Sequence, residues 1–476
     1  MSQERPGVSF VARMELVSRE SPDSKTEGAA ASREWSVLQA FRHRNYRLFF
    51  AGQLVSLIGT WMQSVAQSWL VYRLTGSAMM LGLVGFASQI PVFLVAPLGG
   101  TVSDRHNRRL ILIAAQSASM LLAFALAALT LAHRVHVVHV FVLAAALGVV
   151  NAFDIPARQA FVVDMVGRDD LLNAIALNSS MFNGARIVGP ALAGVLVASI
   201  GEGWCFFANA MSYLAVITGL LMMRITAQAR VPLLGSALAS IIEGFRFVWA
   251  PGPIRALLIL LGIISLMGMP YVVLMPIFAG RIFHGGAREL GLLMGASGVG
   301  ALLGALRLAA RQGVKGLGRW VALSAGAFGA SLILFSLSRS FWLSAALLIP
   351  VGFSMMIEMA ASNTLIQTMA PDHLRGRVMA VYSMMFMGMA PLGALLSGAL
   401  ADRIGAPVTV AIGGVFCIAG SVVFRVYLPA LKVEARRMIV ALRAAGGGPA
   451  EEVTGDGSAA APKPGSEQHG HRSGEA

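Results

Sequence analysis

Charge and cysteine are what this chain has little of. Only 13% of its 476 residues are Asp, Glu, Lys or Arg, whereas 56% are hydrophobic. A soluble domain carries roughly 25% charged and about 45–50% apolar residues. Cys205 and Cys417 are too few and too far apart in sequence to form a disulfide scaffold. No G-x-x-x-x-G-K-[ST] phosphate loop occurs, which argues against an ATP-driven pump built into one chain. No histidine has an aspartate five residues on, so the His–Asp base of a membrane acyltransferase is missing. Residues 1–47 lack the apolar core of a cleavable signal, and none is expected.

What the chain has instead is apolar length. A bilayer-crossing helix needs roughly 20 apolar residues. Twelve stretches between Leu48 and Leu428 reach spanning length: 48–72, 78–100, 110–132, 137–163, 173–200, 204–223, 254–280, 288–310, 320–337, 341–367, 378–400 and 407–428. The expected fold class is an all-α polytopic membrane protein with twelve transmembrane helices. A net charge of +14 would suit nucleic acid, but its placement speaks against that partner. Arg42, Arg44 and Arg47 precede the first stretch, and the even-numbered connections carry Arg105, Arg108, Arg109, Arg158, Arg224, Arg311, Arg319 and Arg375. The odd-numbered connections are poor in cations. By the positive-inside rule both termini are cytoplasmic. The surplus also attracts anionic lipid heads.

The expected division is a disordered N-terminal segment (1–40), a six-helix bundle (41–223), an inter-bundle linker (224–253), a second bundle (254–430) and a mostly disordered cytoplasmic tail (431–476). Within the linker, 237–249 (ALASIIEGFRFVW) has the pattern of an amphipathic helix on the inner membrane surface. His469 and His471 belong to a low-complexity tail and are read as solvated, not as a metal site. The halves repeat. Laying Asn173–Leu196 on Arg377–Leu400 aligns Ser179 with Ser383, Met181 with Met385, Phe182 with Phe386, Gly184 with Gly388, Gly189 with Gly393 and Gly194 with Gly398. Two six-helix repeats place a binding site near the midplane between them.

Three ionisable residues fall inside spans, where charge is costly and functional by default. Arg186 shares a helical face with Ser179, Asn183 and Pro190. Glu358 has no cation within a turn of its own helix. Asp154 is its repeat partner if the fourth helix runs on through Pro156, and it faces two readings: a proton site, or an ion pair with Arg158 one turn on. In the first helix Gln53, Ser56, Thr60, Gln63 and Gln67 fall within an arc of about 80° and are expected to wall a cavity, with inter-helix bonding as the alternative. Met355, Met359 and Met384 stand out in a methionine-rich tenth and eleventh helix, a composition that re-packs around varied apolar shapes.

The connection after the second stretch reads Gly100-Thr-Val-Ser-Asp104-Arg105-His-Asn107-Arg108-Arg109. It resembles the loop signature of the major facilitator superfamily, G-x-x-x-D-[RK]-x-G-[RK]-[RK], with Asn107 at the second glycine. Asparagine still tolerates a left-handed turn there. Ala185-Arg186-Ile-Val-Gly189-Pro190-Ala-Leu-Ala-Gly194 is similar to that superfamily's antiporter motif, and Asn151–Gln159 and Leu374–Tyr382 resemble its enterobactin-exporter and macrolide-efflux branch.

The resemblance implies the two-bundle major facilitator fold. It also implies a secondary active transporter, not an enzyme, expected to export amphipathic small molecules (drug, macrolide or siderophore-like) by alternating access. The proton gradient would drive it without a cofactor, in a monomer spanning a bacterial inner membrane. A lipid or metabolite uniporter or importer of the same fold is the alternative, with a membrane enzyme or a non-transporting receptor behind it. Proton coupling would fall to Glu358, Asp154 or Arg186. Gly100, Asp104, Arg105, Arg108 and Arg109 would form a latch, Asp104 lying against the start of the eleventh helix near Arg375–Val378 in the outward-facing state. A look-alike, Gly398-Ala-Leu-Ala-Asp402-Arg403-Ile-Gly405, follows the eleventh helix and is read as a helix end and turn.

Overall fold

The computed structural model describes residues 39–167, 169–224, 245–311 and 313–444. A short 3-10 turn, Gln39–Arg42, leads into twelve helices long and apolar enough to span a bilayer. The N-terminal six are α1 (Arg44–Thr75), α2 (Ala78–Arg105), α3 (Arg108–Leu131), α4 (Val137–Val166), α5 (Leu171–Ile200) and α6 (Glu202–Met222). The C-terminal six are α7 (Pro253–Ile282), α8 (Ala287–Ala309), α9 (Leu317–Leu337), α10 (Phe341–Met369), α11 (Asp372–Ile404) and α12 (Ala406–Ala444). Large apolar side chains such as Trp342, Leu337 and Val426 point outward, as a lipid-facing surface requires.

The ends are cut by local chemistry. Gly76 adopts a left-handed φ of 62° and its N–H returns to Tyr72 O at 2.7 Å, closing α1. Ser77 Oγ accepts from Met80 N–H and starts α2. Asn107 does not make the expected left-handed turn. Its φ of −68° is that of an N-cap, and its Oδ1 accepts from Arg109 N–H at 3.0 Å. An asparagine between two helices satisfies an orphan donor at α3, so the loop closes without the glycine. α4 runs through Pro156, as the repeat register requires.

α7 is the irregular one. Two π-helical turns, Ile264–Gly268 and Phe278–Ile282, flank the segment holding Pro270 and Pro276. A proline removes a donor, and a π turn re-registers the carbonyls it strands. α12 extends through Ala444, so residues 431–444, assigned by sequence to the tail, continue the last helix. Of the proposed amphipathic segment, 245–249 is helical and 237–244 lies outside the described residues, as do residues 1–38 and the histidines at 469 and 471.

α6 packs on α1 and on α3 in the first half, and α2 packs on α4; α8 packs on α10, and α9 on α10 and α12, in the second. The halves meet along two crossings, α2 on α11 and α5 on α8. Both are close because side chains are absent. A Cβ on Gly82 would lie 2.5 Å from Ala394 O, and one on Gly291 would lie 2.5 Å from Pro190 O. Both crossings fall toward the face opposite the arginine-rich loops. Past Phe93, whose ring packs on Gly388, α2 and α11 part, and a Cβ on Gly100 or Gly376 would meet nothing within 4 Å. A cleft of about 420 Å³ opens there between Phe93, Pro97, Ile155, Arg377 and Met384.

Candidate functional site

A cavity of about 470 Å³ lies between the halves. α1 contributes Trp61 and Ser64, α5 Phe182, Arg186 and Pro190, α7 Tyr271, α8 Met294 and Ser297, α10 Met355 and Met359, and α11 Phe386. The lining is aromatic and thioether, a surface that accepts apolar bodies of varied shape. Its polar groups are few. The Tyr271 hydroxyl and Ser297 Oγ share a hydrogen bond of 2.8 Å. The Arg186 guanidinium lies over the Trp61 ring, 5.8 Å from its centroid, and Trp61 meets Phe182 edge-on at 5.6 Å. Among the described residues Arg186 has no ion-pair partner and makes no hydrogen bond.

Glu358 is fully buried in α10, one turn from Ser362, whose hydroxyl donates to Oε1 at 3.1 Å. Among the described residues its Oε2 has no hydrogen-bond partner. Tyr382 of α11 and Cys417 of α12 are the titratable groups near it. It sits behind Met355 and Met359, which line the cavity in its place. Asp154 has the ion pair, the structural one of its two readings. Arg158 Nη2 lies 3.0 Å from Oδ2, and Gln116 Nε2 donates to Oδ1 at 2.8 Å.

The polar stripe of α1 is not the cavity wall. Gln53, Ser56 and Gln63 are buried inside the N-terminal half. Gln53 Oε1 accepts from Arg158, and Gln63 Oε1 accepts from Asn209 of α6 at 2.7 Å. Thr60 is exposed, its hydroxyl donating to Ser56 O, and Gln67 is half-buried. Helical periodicity gathered these residues on one face correctly. It was silent on which neighbour that face meets, and buried amides find partners in sister helices. Asn183 likewise donates along its own helix to Ser179 O. Gly189 lets α5 approach the backbone of α1 beside Trp61, and Pro190 and Gly194 form the floor on which Gly291 of α8 rests.

The loop after α2 is held mostly within its own half. Arg108 pairs with Asp164 of α4 at 2.9 Å, and Arg109 donates to the last carbonyls of α6, Leu220 O at 2.7 Å and Leu221 O at 2.8 Å. Asp104 is exposed, 3.8 Å from Arg108, and α11 starts at Pro371 without a side-chain cap. Arg105 is exposed.

A model of the transmembrane secretion effector family, a branch of the major facilitator superfamily, matches residues 35–444. The chain belongs to that family. It is 27% identical over 383 residues to the staphyloferrin A transporter of Staphylococcus aureus, covering 79% of this chain and 95% of that protein. It is 30% identical to the multidrug efflux pump Tap of Mycolicibacterium fortuitum, over 75% of this chain and 89% of the pump. Its fold is that of the nucleoside transporter NupG, with a TM-score of 0.62 at 14% identity over 81% of this chain and 98% of that one. The protein is therefore a multi-pass membrane transporter and not an enzyme.

In this transporter the look-alike after α11 is more than a helix end. Asp402 reaches across to the other half. Its Oδ1 accepts from Ala78 N–H at 2.7 Å and its Oδ2 from the Ser77 hydroxyl at 2.9 Å, both at the first turn of α2. A carboxylate on a helix N-terminus is stabilised by the dipole and by the orphan N–H groups. The sequence places Gly398–Gly405 at a helix end on the face opposite the arginine-rich loops, and the structure adds the contact from Asp402 to the other half.

Proposed function

We propose that this transporter is a proton-coupled exporter of amphipathic small molecules. It works by alternating access as a monomer in a bacterial inner membrane, with both termini in the cytoplasm. One observation carries the reading: the halves are pressed together at one face, where Asp402 holds α2, and parted at the arginine-rich face, with the cavity between. Under the positive-inside rule the open face is cytoplasmic, so cargo enters from inside. Rocking the halves about the cavity parts the Asp402 face and brings Asp104 to the start of α11. The name of the pump Tap supports the outward direction.

Glu358 is the proposed proton carrier. Ser362, Tyr382 and Cys417 lie near it, and among the described residues no cation pairs with it. A buried carboxyl in that setting is neutral only when it holds a proton, which is the switch antiport needs. Asp154 is tied to Arg158 and Gln116 and is the weaker candidate. Arginine keeps its proton in proteins, so Arg186 acts through its charge.

The test is accumulation of a fluorescent efflux dye in cells, with and without a protonophore, for the native protein and Glu358→Gln. Native cells should exclude dye until the protonophore is added. The variant should lose uphill export at equal expression while keeping downhill exchange. Uphill export by Glu358→Gln with unchanged pH dependence removes Glu358 from the role. Export indifferent to the protonophore favours the uniporter reading, and dye accumulating above the level of cells without the protein favours the importer.

A further inference from the structure

Arg186 is the charged residue in the cavity lining, and the transport cycle above gives its charge no partner. It projects from the middle of α5 into the cavity, beside Trp61, Phe182 and Tyr271. A guanidinium away from water is expensive unless its charge is answered. The Trp61 face answers part of it, through the ring quadrupole. The rest is unanswered from within the protein. Among the described residues, the carboxylates at membrane depth are engaged or screened off: Asp154 by Arg158 and Gln116, Glu358 behind Met355 and Met359. All five N–H donors of Arg186 are therefore unused. They sit in a planar fork whose geometry fits a carboxylate or similar oxyanion in a bidentate grip.

We propose that the cargo of this transporter is an amphipathic organic anion, whose oxyanion pairs with Arg186 while its planar apolar body lies against Trp61, Phe182 and the methionines of α8 and α10. The inference rests on the transport reading and sharpens it to a substrate class. An anion in this cavity is drawn out of water by a half-buried charge, so the site gains most from a group of that sign. A cation of the same shape is repelled by Arg186 and meets no carboxylate in the lining. A neutral analogue keeps only the apolar contacts. The fixed +1 charge thus acts as a filter among molecules that the methionine wall alone would not distinguish. The cavity, about 470 Å³, falls in the size range of drug-sized ligands.

The test is binding to the purified full chain in detergent, which needs no gradient and no export. The probes are pyrenebutyrate, its neutral primary amide and pyrenebutylamine, three molecules with one apolar body, followed by energy transfer from tryptophan to pyrene. For the native protein the order should be anion, then amide, then amine, with the anion at least ten-fold tighter than the amide. Arg186→Gln should weaken the anion ten-fold or more and leave the amide within two-fold, and Arg186→Lys should recover only part of the loss. Unchanged amide binding also reports that the variant is folded. If the native protein binds amide or amine as tightly as the anion, the proposal is overturned without recourse to any variant. Equal anion binding by native and Arg186→Gln protein overturns it as well. Arg186-dependent anion binding in a protein that exports nothing would instead overturn the transport reading.

Discussion

Asp402 holds the closed face, and removing its charge should shift the conformational balance by a calculable amount. The side chain receives two hydrogen bonds from the start of α2, at 2.7 and 2.9 Å. A hydrogen bond to a charged group contributes about 1.5–3 kcal/mol when buried, but the Ser77 contact here is exposed to solvent, which screens it. The dipole of α2 adds about 0.3–1 kcal/mol. Asp402→Ala, which loses every part of this, should cost the closed-face state about 1–2 kcal/mol, a shift of roughly five- to thirty-fold in the ratio of the two states. Asp402→Asn retains an acceptor for Ala78 N–H and should shift it by less, about two- to five-fold on the dipole figure alone. The assay is electron-spin distance measurement between labels on the arginine-rich face, at Leu110→Cys in α3 and Leu306→Cys in α8, both exposed. Cys205 and Cys417, which are buried and free, are replaced in the background. The short-distance population should rise in the order native, Asp402→Asn, Asp402→Ala. Unchanged populations in Asp402→Ala, or an equal shift in a control Arg403→Gln, would refute the cross-half contact as a determinant of state.

Asp104→Asn should lower export strongly at normal expression, because its charge is needed only in the state where the arginine-rich face closes; in the same distance assay it should deplete the short-distance population, and native export rates would sink that role. Asp170, outside the spans, ties the entry turn to the start of α5. His43 Nε2 lies 2.8 Å from it and Arg42 lies 3.3 Å away. The hydrogen bond from His43 first, and then Arg42, hold its carboxyl below the usual aspartate range, although burial pushes the other way. A depressed folded-state pKa contributes stability that is present above the unfolded value, about 3.9, and lost as pH falls through the folded one. The melting temperature of native protein should therefore exceed that of Asp170→Asn by a constant margin near neutrality, and the margin should close in acid; a margin that grows in acid reverses the sign and the explanation. Glu358→Gln carries the coupling prediction through protonophore-sensitive dye export, with the outcomes given above.

The twelve spans were legible because hydropathy over a bilayer's thickness has no other use. The third stretch, expected at 110–132, is α3 at Arg108–Leu131, and Gly76 and Ser77 mark the boundary between α1 and α2. The π turns of α7 were not legible, since prolines announce a break but not how the backbone repairs it. At the site, Arg186, Met355 and Met359 stood out by type alone, and the structure brings them to one cavity. The α1 stripe shows the limit. Its face was visible, but the partners that claim it, Asn209 and Arg158, lie more than a hundred residues away in sequence. Burial in a bundle and exposure to a cavity look alike until the neighbouring helix is in place.

Asp402 and Asp104 make a pair that the six-helix repeat does not relate. α2 and α11 run antiparallel across the seam, so the last turn of each faces the first turn of the other. Each ends on the same short pattern, Asp104-Arg105 on α2 and Asp402-Arg403 on α11. At the closed face the acid of α11 sits on the N-terminus of α2. At the open face the acid of α2 is exposed, and the N-cap of α11, Pro371, makes no side-chain cap. If the halves rock as proposed, one contact would be exchanged for the other by the same chemistry. Their energies would then largely cancel between states, leaving a gap small enough for cargo and a proton to decide. A carrier locked by several kcal/mol in either state would need a ligand binding about 10⁴-fold better to the other one to reverse its population. Unbalancing the two latches, by placing a second acceptor near Ala78 or by deleting the charge of Asp104, should slow turnover even though every binding contact in the cavity is intact.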